Sequence, residues 1–143
     1  MGLRVGSDYH LTEWHVAFCD IGNPNFIQKF LKRGFRHVWM FTFDPDSGAW
    51  IMFQPTWNNA VIRAVPAKDF TPFLMEALDK GPILCVKVTR RGIKKARLFM
   101  TCVSQVCHVL GVDLFFATPY RLFCELQKSG YQARFTLSDE IEE

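Results

Sequence analysis

Five cysteines and four histidines are the side chains of this sequence best suited to covalent chemistry. Cys102 stands apart because it follows Thr101, a good helix N-cap residue, and begins an apolar helical pattern that stops at Gly111. Unpaired backbone N–H groups and the positive end of the helix dipole favour a thiolate at such a position. The other cysteines lie within apolar strand-like runs or helix interiors, where a thiol packs as a small hydrophobic group: Cys19, Cys85, Cys107 and Cys124. The sequence therefore predicts that Cys102 is a nucleophile.

A thiol nucleophile needs a base within hydrogen-bond reach. His10 falls in a polar N-terminal stretch and His15 lies in the first strand-like run. His108 is six positions along the helix of Cys102, about 120° around its axis. His37 begins a strand in the middle of the expected sheet, and we expect it to be the general base. The ordinary alternative is a strand histidine whose ring is satisfied by a backbone carbonyl.

The hairpin after His37 suggests a third group, one that orients the imidazole. An Asp-Pro-Asp-Ser-Gly turn separates two apolar strands. A two-residue loop would place Gln54 opposite His37, whereas a four-residue loop would place it opposite Trp39. In both registers Gln54 shares the face of His37, and its amide oxygen could accept a hydrogen bond from the ring. Asp44 and Asp46 are alternative orienting groups, and a solvated strand end is the ordinary interpretation of Gln54.

The elements around these residues predict an α+β fold, with helices packed on an antiparallel sheet in one domain. Residues 1–13 are expected to be a loose N-terminal segment, residues 14–137 the domain, and residues 138–143 a frayed acidic tail. Strands are predicted over 14–20, 35–43, 49–55, 60–65, 83–89, 96–100 and 131–137. Helices are predicted over 26–33, from an N-cap at Thr71 to Gly81, over 102–110 and over 119–127.

Composition sets bounds on the function. The chain is 49% hydrophobic, 15% aromatic and 22% charged with a net charge of +3, which is ordinary for a globular domain and does not call for nucleic acid. An odd number of cysteines without a CxxC pair does not support a disulfide framework or a cysteine zinc site. Spacing would permit a metal at His15, Cys19 and Asp20, but their strand placement argues against it. We expect no cofactor, because no nucleotide-binding or metalloprotease motif is present.

The N-terminus has no apolar segment typical of a signal peptide, and no apolar run reaches the ~18 residues of a membrane span. We therefore expect cytoplasmic synthesis and no membrane-spanning segment. One basic segment carries five positive side chains, which predict a solvated hairpin tip or a contact with anionic groups: Arg90, Arg91, Lys94, Lys95 and Arg97. Because no Tyr or Trp is interleaved with them, nucleic-acid binding ranks low. The aromatic surplus could also supply a protein interface.

The order of the motifs resembles that of permuted papain-like cysteine hydrolases, the NlpC-type and lecithin-retinol acyltransferase-like proteins, especially small phage and prophage versions. The resemblance covers about residues 14–128. It rests on Phe-Arg-His-Val at 35–38, Trp-x-x-x-x-Pro at 50–55, Thr-Cys-Val opening an apolar helix at 101–111, and Thr-Pro-x-x-Leu at 118–122.

This resemblance implies a permuted papain-like fold in which the histidine strand precedes the cysteine helix. It implies that Cys102 is the nucleophile, His37 the base and Gln54 the third member, acting on a peptide, amide or ester bond through a thioester. The backbone N–H of Cys102 and a second donor would form the oxyanion hole. In many such relatives an acidic, histidine or asparagine residue is expected in place of Gln54. A second hypothesis is therefore a catalytically weak or inactive member that serves as a structural or assembly protein, for example in a phage particle.

Overall fold

The computed structural model describes residues 13–22, 24, 28–56, 59–87, 101–112, 114 and 118–128. The described chain contains five strands and three helices. In chain order they are β1 (Glu13–Cys19), β2 (His37–Asp44), β3 (Ala49–Thr56), β4 (Asn59–Pro66), α1 (Ala67–Lys80), β5 (Ile83–Lys87), α2 (Cys102–Leu110) and α3 (Pro119–Lys128). The predicted α+β class with an antiparallel sheet is confirmed.

The sheet has the strand order β4-β3-β2-β1-β5, and every neighbouring pair is antiparallel. Side chains of a strand alternate between its two faces. On one face, Val38 and Met40 join the core formed with α2 and α3. On the other face, Trp39 and Phe41 join the core that includes Phe70 of α1. The sheet therefore has a face that packs against α2 and a face that packs against α1.

The hairpin of β2 and β3 has the longer of the two predicted loops. Asp44 pairs with Ala49, which leaves a four-residue loop, so the two-residue alternative is wrong. The Asp44 carboxylate accepts hydrogen bonds from the N–H of Asp46 (3.2 Å) and the hydroxyl of Ser47 (2.6 Å), and Gly48 closes the turn at φ 67°. These local hydrogen bonds explain the four-residue loop, because they pair polar groups of the turn with one another.

Pairing between β2 and β3 ends at Met40 and Phe53, whereas β3 and β4 remain paired to Thr56 and Asn59. Pro55 cannot donate a backbone hydrogen bond, which limits strand pairing on the β2 side. Among the described strands, the first residues of β2 therefore pair with β1 alone.

Helix α1 begins at Ala67, so the predicted N-cap at Thr71 is wrong. The reason is Phe70, which is buried in the first turn and stacks on the ring of Trp50 with the centroids 4.6 Å apart. Pro72 consequently lies inside the helix on an exposed position. Burial of an aromatic side chain outweighs the one backbone hydrogen bond that Pro72 cannot make.

The predicted helix over 26–33 is also wrong in its described part, which holds only a three-residue 3₁₀ turn, Gln28–Phe30. Asp20 organises this connection instead. Its carboxylate accepts hydrogen bonds from the N–H of Ile21 (2.8 Å), the N–H of Gly34 (2.9 Å) and the side chain of Arg36 (3.1 Å). Gly34 has φ 86°, which favours glycine.

Helices α2 and α3 begin and end within a residue of their predicted positions. Several predictions fall outside the described residues: the loose N-terminal segment up to residue 12, the strands over 96–100 and 131–137, the basic segment 90–97 and the acidic tail.

Candidate thiol site at the start of α2

A capping box sets the start of α2. The hydroxyl of Thr101 accepts a hydrogen bond from the N–H of Ser104 (3.1 Å), and the Ser104 hydroxyl accepts one from the N–H of Thr101 (2.8 Å). Gly111 ends the helix in the left-handed region at φ 72°. Cys102 is therefore the first residue of the helix, as predicted.

The buried face of α2 sets where the start of the helix lies on the sheet. Val103 and Val106 are buried in the same core as Val38 of β2. The half of α2 nearer its start is also tied to the last residue of β3 and the first of β4, because the buried side chain of Gln105 donates hydrogen bonds to the carbonyl oxygens of Thr56 (3.0 Å) and Asn59 (3.1 Å). These contacts hold the first turn of α2 over the open end of the β2–β3 hairpin, away from its turn.

The Cys102 sulfur lies against the backbone of β2. The backbone N–H groups of Val38, Val103 and Cys102 itself are close enough to the sulfur to lower its pKa. Val38 lies beyond the last residue of β2 that pairs with β3, so β3 does not compete for this N–H. Val38 directly follows His37, so the sulfur lies one residue along β2 from the predicted base, but within the described residues the Cys102 sulfur and the His37 ring form no hydrogen bond.

The ionisation of Cys102 results from two opposing effects. Burial raises the pKa of the thiol, and the three N–H donors lower it by a smaller amount, so that the pKa lies above its ordinary value. The position of Cys102 at the helix start predicts the direction of the N–H effect on its pKa, but burial outweighs that effect. The resting group at neutral pH is therefore a thiol, not the thiolate expected from the helix start.

His37 is half-buried at the start of β2. Its cross-strand partner is Cys19, which belongs to the core on the α1 face, so the imidazole shares that face. Burial lowers the pKa of His37, which keeps the ring neutral near pH 7 and able to accept a proton. The cysteine and the histidine thus approach the same stretch of β2 backbone from its two sides.

Gln54 follows the last β2–β3 pair, which places it opposite Trp39 and on the α1 face with His37. The predicted sharing of a face is therefore present. Within the described residues, however, the Gln54 amide forms no hydrogen bond, so the orienting contact with the imidazole is not made. Asp44, one of the alternative orienting groups, is engaged in the turn at the far end of the hairpin.

Two contributors to the site were missed in the sequence. One is the N–H of Val38, which no sequence signal marks because every residue has such a group. The other is Asp20, which holds Arg36 immediately before His37. The N–H groups of Gly34 and Ile21 lower the pKa of Asp20, and Arg36 contributes further. An acidic residue directly after a strand and a basic residue directly before the next strand were the available signal.

The spacing of His15, Cys19 and Asp20 does not produce a metal-binding cluster, and no group of three or more potential ligands occurs elsewhere in the described ranges. The ring of His15 instead packs against Phe41 and Trp50, with centroids 5.1 and 5.7 Å away. Within those same ranges, no helix has both the length and the apolar character needed to cross a bilayer.

Comparisons with protein-family models, with curated proteins and with solved structures give no match to this chain. The candidate function accordingly depends on the chemistry of the site itself.

Proposed function

We propose that this protein is a cysteine hydrolase of the permuted papain-like type, in which Cys102 attacks a peptide, amide or ester carbonyl and His37 accepts the thiol proton. The observation that supports it most directly is the closeness of the Val38 N–H to the Cys102 sulfur, which lowers the pKa of the thiol. This contact joins the capped start of α2 to the residue next to His37, across more than sixty intervening residues. Acyl transfer requires the base within hydrogen-bond reach of the nucleophile, so the His37 ring would have to turn from the α1 face toward the sulfur.

The reaction starts from a neutral thiol and a neutral imidazole. As the sulfur forms a bond to the carbonyl carbon, its proton passes to His37. The imidazolium then protonates the leaving amine or alcohol as the carbon–heteroatom bond breaks, which leaves a thioester on Cys102. Water attacks the thioester with His37 again as the base, and the acid product and the thiol are released. The raised pKa of Cys102 means that the proton moves during attack rather than before it.

The developing oxyanion needs at least two donors. The backbone N–H of Cys102 is the first, by its position at the start of α2. The N–H of Val38 is our candidate for the second, because it contacts the sulfur from outside the helix. Gln54 would orient the imidazole by turning its amide toward His37 on their shared face. Since an amide carries no charge to stabilise imidazolium, we expect modest turnover.

The experiment is a burst assay with p-nitrophenyl acetate, followed by mass spectrometry to locate the acetyl group. We expect one acetyl adduct, on Cys102, and none in Cys102→Ser. The variant His37→Ala should acylate about 10²–10⁴-fold more slowly. The matched controls are Cys124→Ser, which removes another half-buried thiol, and His108→Ala, which removes an exposed imidazole on α2. Adducts spread over several cysteines, or an unchanged rate in His37→Ala, would contradict the proposal.

One observation favours the second function, a catalytically weak or inactive protein of the same fold that serves in assembly, for example in a phage particle. Strand β4 is at the end of the described sheet, and its Ile62 side chain is 67% exposed. Light scattering over a range of concentrations tests this function. An oligomer that is lost in Ile62→Lys would support assembly, whereas a monomer at all concentrations would argue against it.

A further inference from the structure

The connection between β1 and β2 carries an exposed aromatic side chain among positive charges. Phe30 ends the 3₁₀ turn, and its side chain is 79% exposed, more than any other large apolar side chain in the described ranges. Lys29, Lys32 and Arg33 flank it along the chain, and all three are exposed. Residues 29–33, which we call the basic aromatic turn, therefore present one ring and three cations to the solvent.

The positive charges of this turn are not neutralised by the protein itself. The sequence has no acidic residue between Asp20 and Asp44. Asp20 forms an ion pair with Arg36 (3.1 Å), which lies outside the turn. Within the part of the chain that the structure describes, none of the three cations of the turn forms an ion pair. The turn consequently favours a partner that carries negative charge.

Hydrogen bonds and a ring contact fix the end of the basic aromatic turn. The N–H of Phe35 donates to the carbonyl of Lys32 (2.9 Å), and the N–H of Arg36 donates to the carbonyl of Cys19 at the end of β1 (3.1 Å). The Lys32 amine lies 3.6 Å from the centre of the Tyr120 ring on α3, a contact that leaves its charge in place. Binding through this turn therefore requires little ordering of the backbone.

The size and composition of the turn limit the kind of partner. A stable protein interface uses about 20–30 residues on each side, many more than this turn supplies. Single-stranded nucleic acids stack on several exposed rings in succession. Here the neighbouring rings of Phe35, Tyr120 and Phe123 pack on one another instead, with centroids 5.1 and 4.9 Å apart. A lipid surface has neither requirement, because lipids rearrange around one inserted ring while their phosphates pair with the flanking cations.

We propose that the basic aromatic turn docks this protein on a membrane surface that carries anionic lipids, with the Phe30 ring in the interface and the three cations at the headgroup phosphates. One ring and three charges make this docking peripheral and reversible. Arg33 lies four positions before His37, so at most about 14 Å of chain separates the turn from the start of β2. Docking thus holds the start of β2 near the lipid surface, and it does not depend on the proposed hydrolase function.

The first test is co-sedimentation of the full chain with vesicles of phosphatidylcholine alone and of phosphatidylcholine mixed with phosphatidylserine. We expect the partition coefficient to be about 100-fold higher for the anionic vesicles, because each of the three cations near an anionic surface contributes about 5-fold. Raising the salt concentration to about 1 M, where charges are screened beyond ~3 Å, should remove most of this preference. Equal partition onto the two kinds of vesicle would overturn the proposal.

The second test assigns the binding to the turn. Lys29→Gln and Arg33→Gln should each lower partition onto the anionic vesicles about 5-fold, whereas Lys68→Gln, at an exposed position of α1, should leave it unchanged. Phe30→Ala should lower it about 10-fold, since its ring no longer leaves water. The matched control is Ile62→Ala, which truncates a 67% exposed side chain on β4 and should bind as the wild type does.

The controls also define the results that contradict the proposal. If Arg33→Gln weakens binding no more than Lys68→Gln, or Phe30→Ala no more than Ile62→Ala, the net charge of +3 and not the turn is responsible. Tighter binding to a single-stranded oligonucleotide than to anionic vesicles would instead assign the turn to nucleic acid. Cys102→Ser should bind the vesicles as the wild type does, so a protein that docks but never acylates would contradict the hydrolase function alone.

Discussion

Gly81 offers the sharpest structural test of how the sheet holds the site. It follows α1, and its extended backbone would suit any residue, yet an added Cβ would overlap the carbonyl oxygen of Phe18 and lie 3.1 Å from its carbonyl carbon. Both partners in this contact are backbone. The N–H of Phe18 also donates a hydrogen bond to the carbonyl of Pro82 (3.0 Å), so β1 cannot move away without breaking its pairing with the chain entering β5.

We therefore expect Gly81→Ala to lower the free energy of unfolding by about 3 kcal/mol or more, the upper end of the cost of overpacking. Unfolding entropy is about 2.1 cal/mol/K per residue, which for 143 residues means that about 0.3 kcal/mol shifts the melting temperature by 1 °C. The expected fall in Tm is thus about 10 °C, measured by circular dichroism during heating and checked by urea unfolding.

Two other glycines calibrate this prediction. Gly22 has no atom within 4 Å of a built Cβ, so Gly22→Ala should stay within about 0.5 kcal/mol of the wild type. Gly48 has equally open space but a φ of 67°, so Gly48→Ala should cost about 1 kcal/mol, or about 3 °C. The steric reasoning is refuted if Gly81→Ala melts within about 2 °C of the wild type, or if it costs no more than Gly48→Ala.

Three further predictions concern the site. Thr101→Ala should lower the free energy of unfolding by about 1 kcal/mol through loss of the α2 cap, and Thr101→Ser should restore it. Thr118→Ala, which removes the cap of α3, is the matched change. Equal stability of Thr101→Ala and Thr101→Ser in urea would contradict this prediction. The acylation rate should be half-maximal below pH ~6.5 and flat from about pH 7 to 8.5, because burial lowers the pKa of His37 and raises that of Cys102. A rate that rises steadily to pH 8.5 would exclude His37 as the general base. The folded-state pKa of Asp20 is lowered, chiefly by the N–H groups of Gly34 and Ile21, so its contribution to stability is present above its unfolded value of ~3.9 and is lost as the pH falls through the folded value. Asp20→Asn should be less stable than the wild type in urea at pH 7, and the difference should shrink as the pH falls below ~3.9.

Local sequence signals were sufficient where the interaction spans only a few residues. Thr101 and Gly111 bound α2 through a side-chain cap and a left-handed glycine, both of which act within one turn of the helix. The strands of the first hairpin followed from apolar runs on either side of turn residues. Within the hairpin, the choice between two loop lengths stayed open, because both satisfy the same turn residues.

Tertiary structure decided everything that depends on burial or on residues distant in the chain. Helix α1 starts early because Phe70 reaches the sheet, and the connection before β2 is organised by Asp20 rather than by a full helix. The contact of Cys102 with Val38 was likewise invisible in the sequence. The sequence by itself determined that a cysteine starts a helix and a histidine starts a strand. Only the folded chain decided that the sulfur lies near the N–H of Val38, next to that histidine, and that burial leaves the sulfur protonated, since desolvation depends on what surrounds a group and not on its neighbours in sequence.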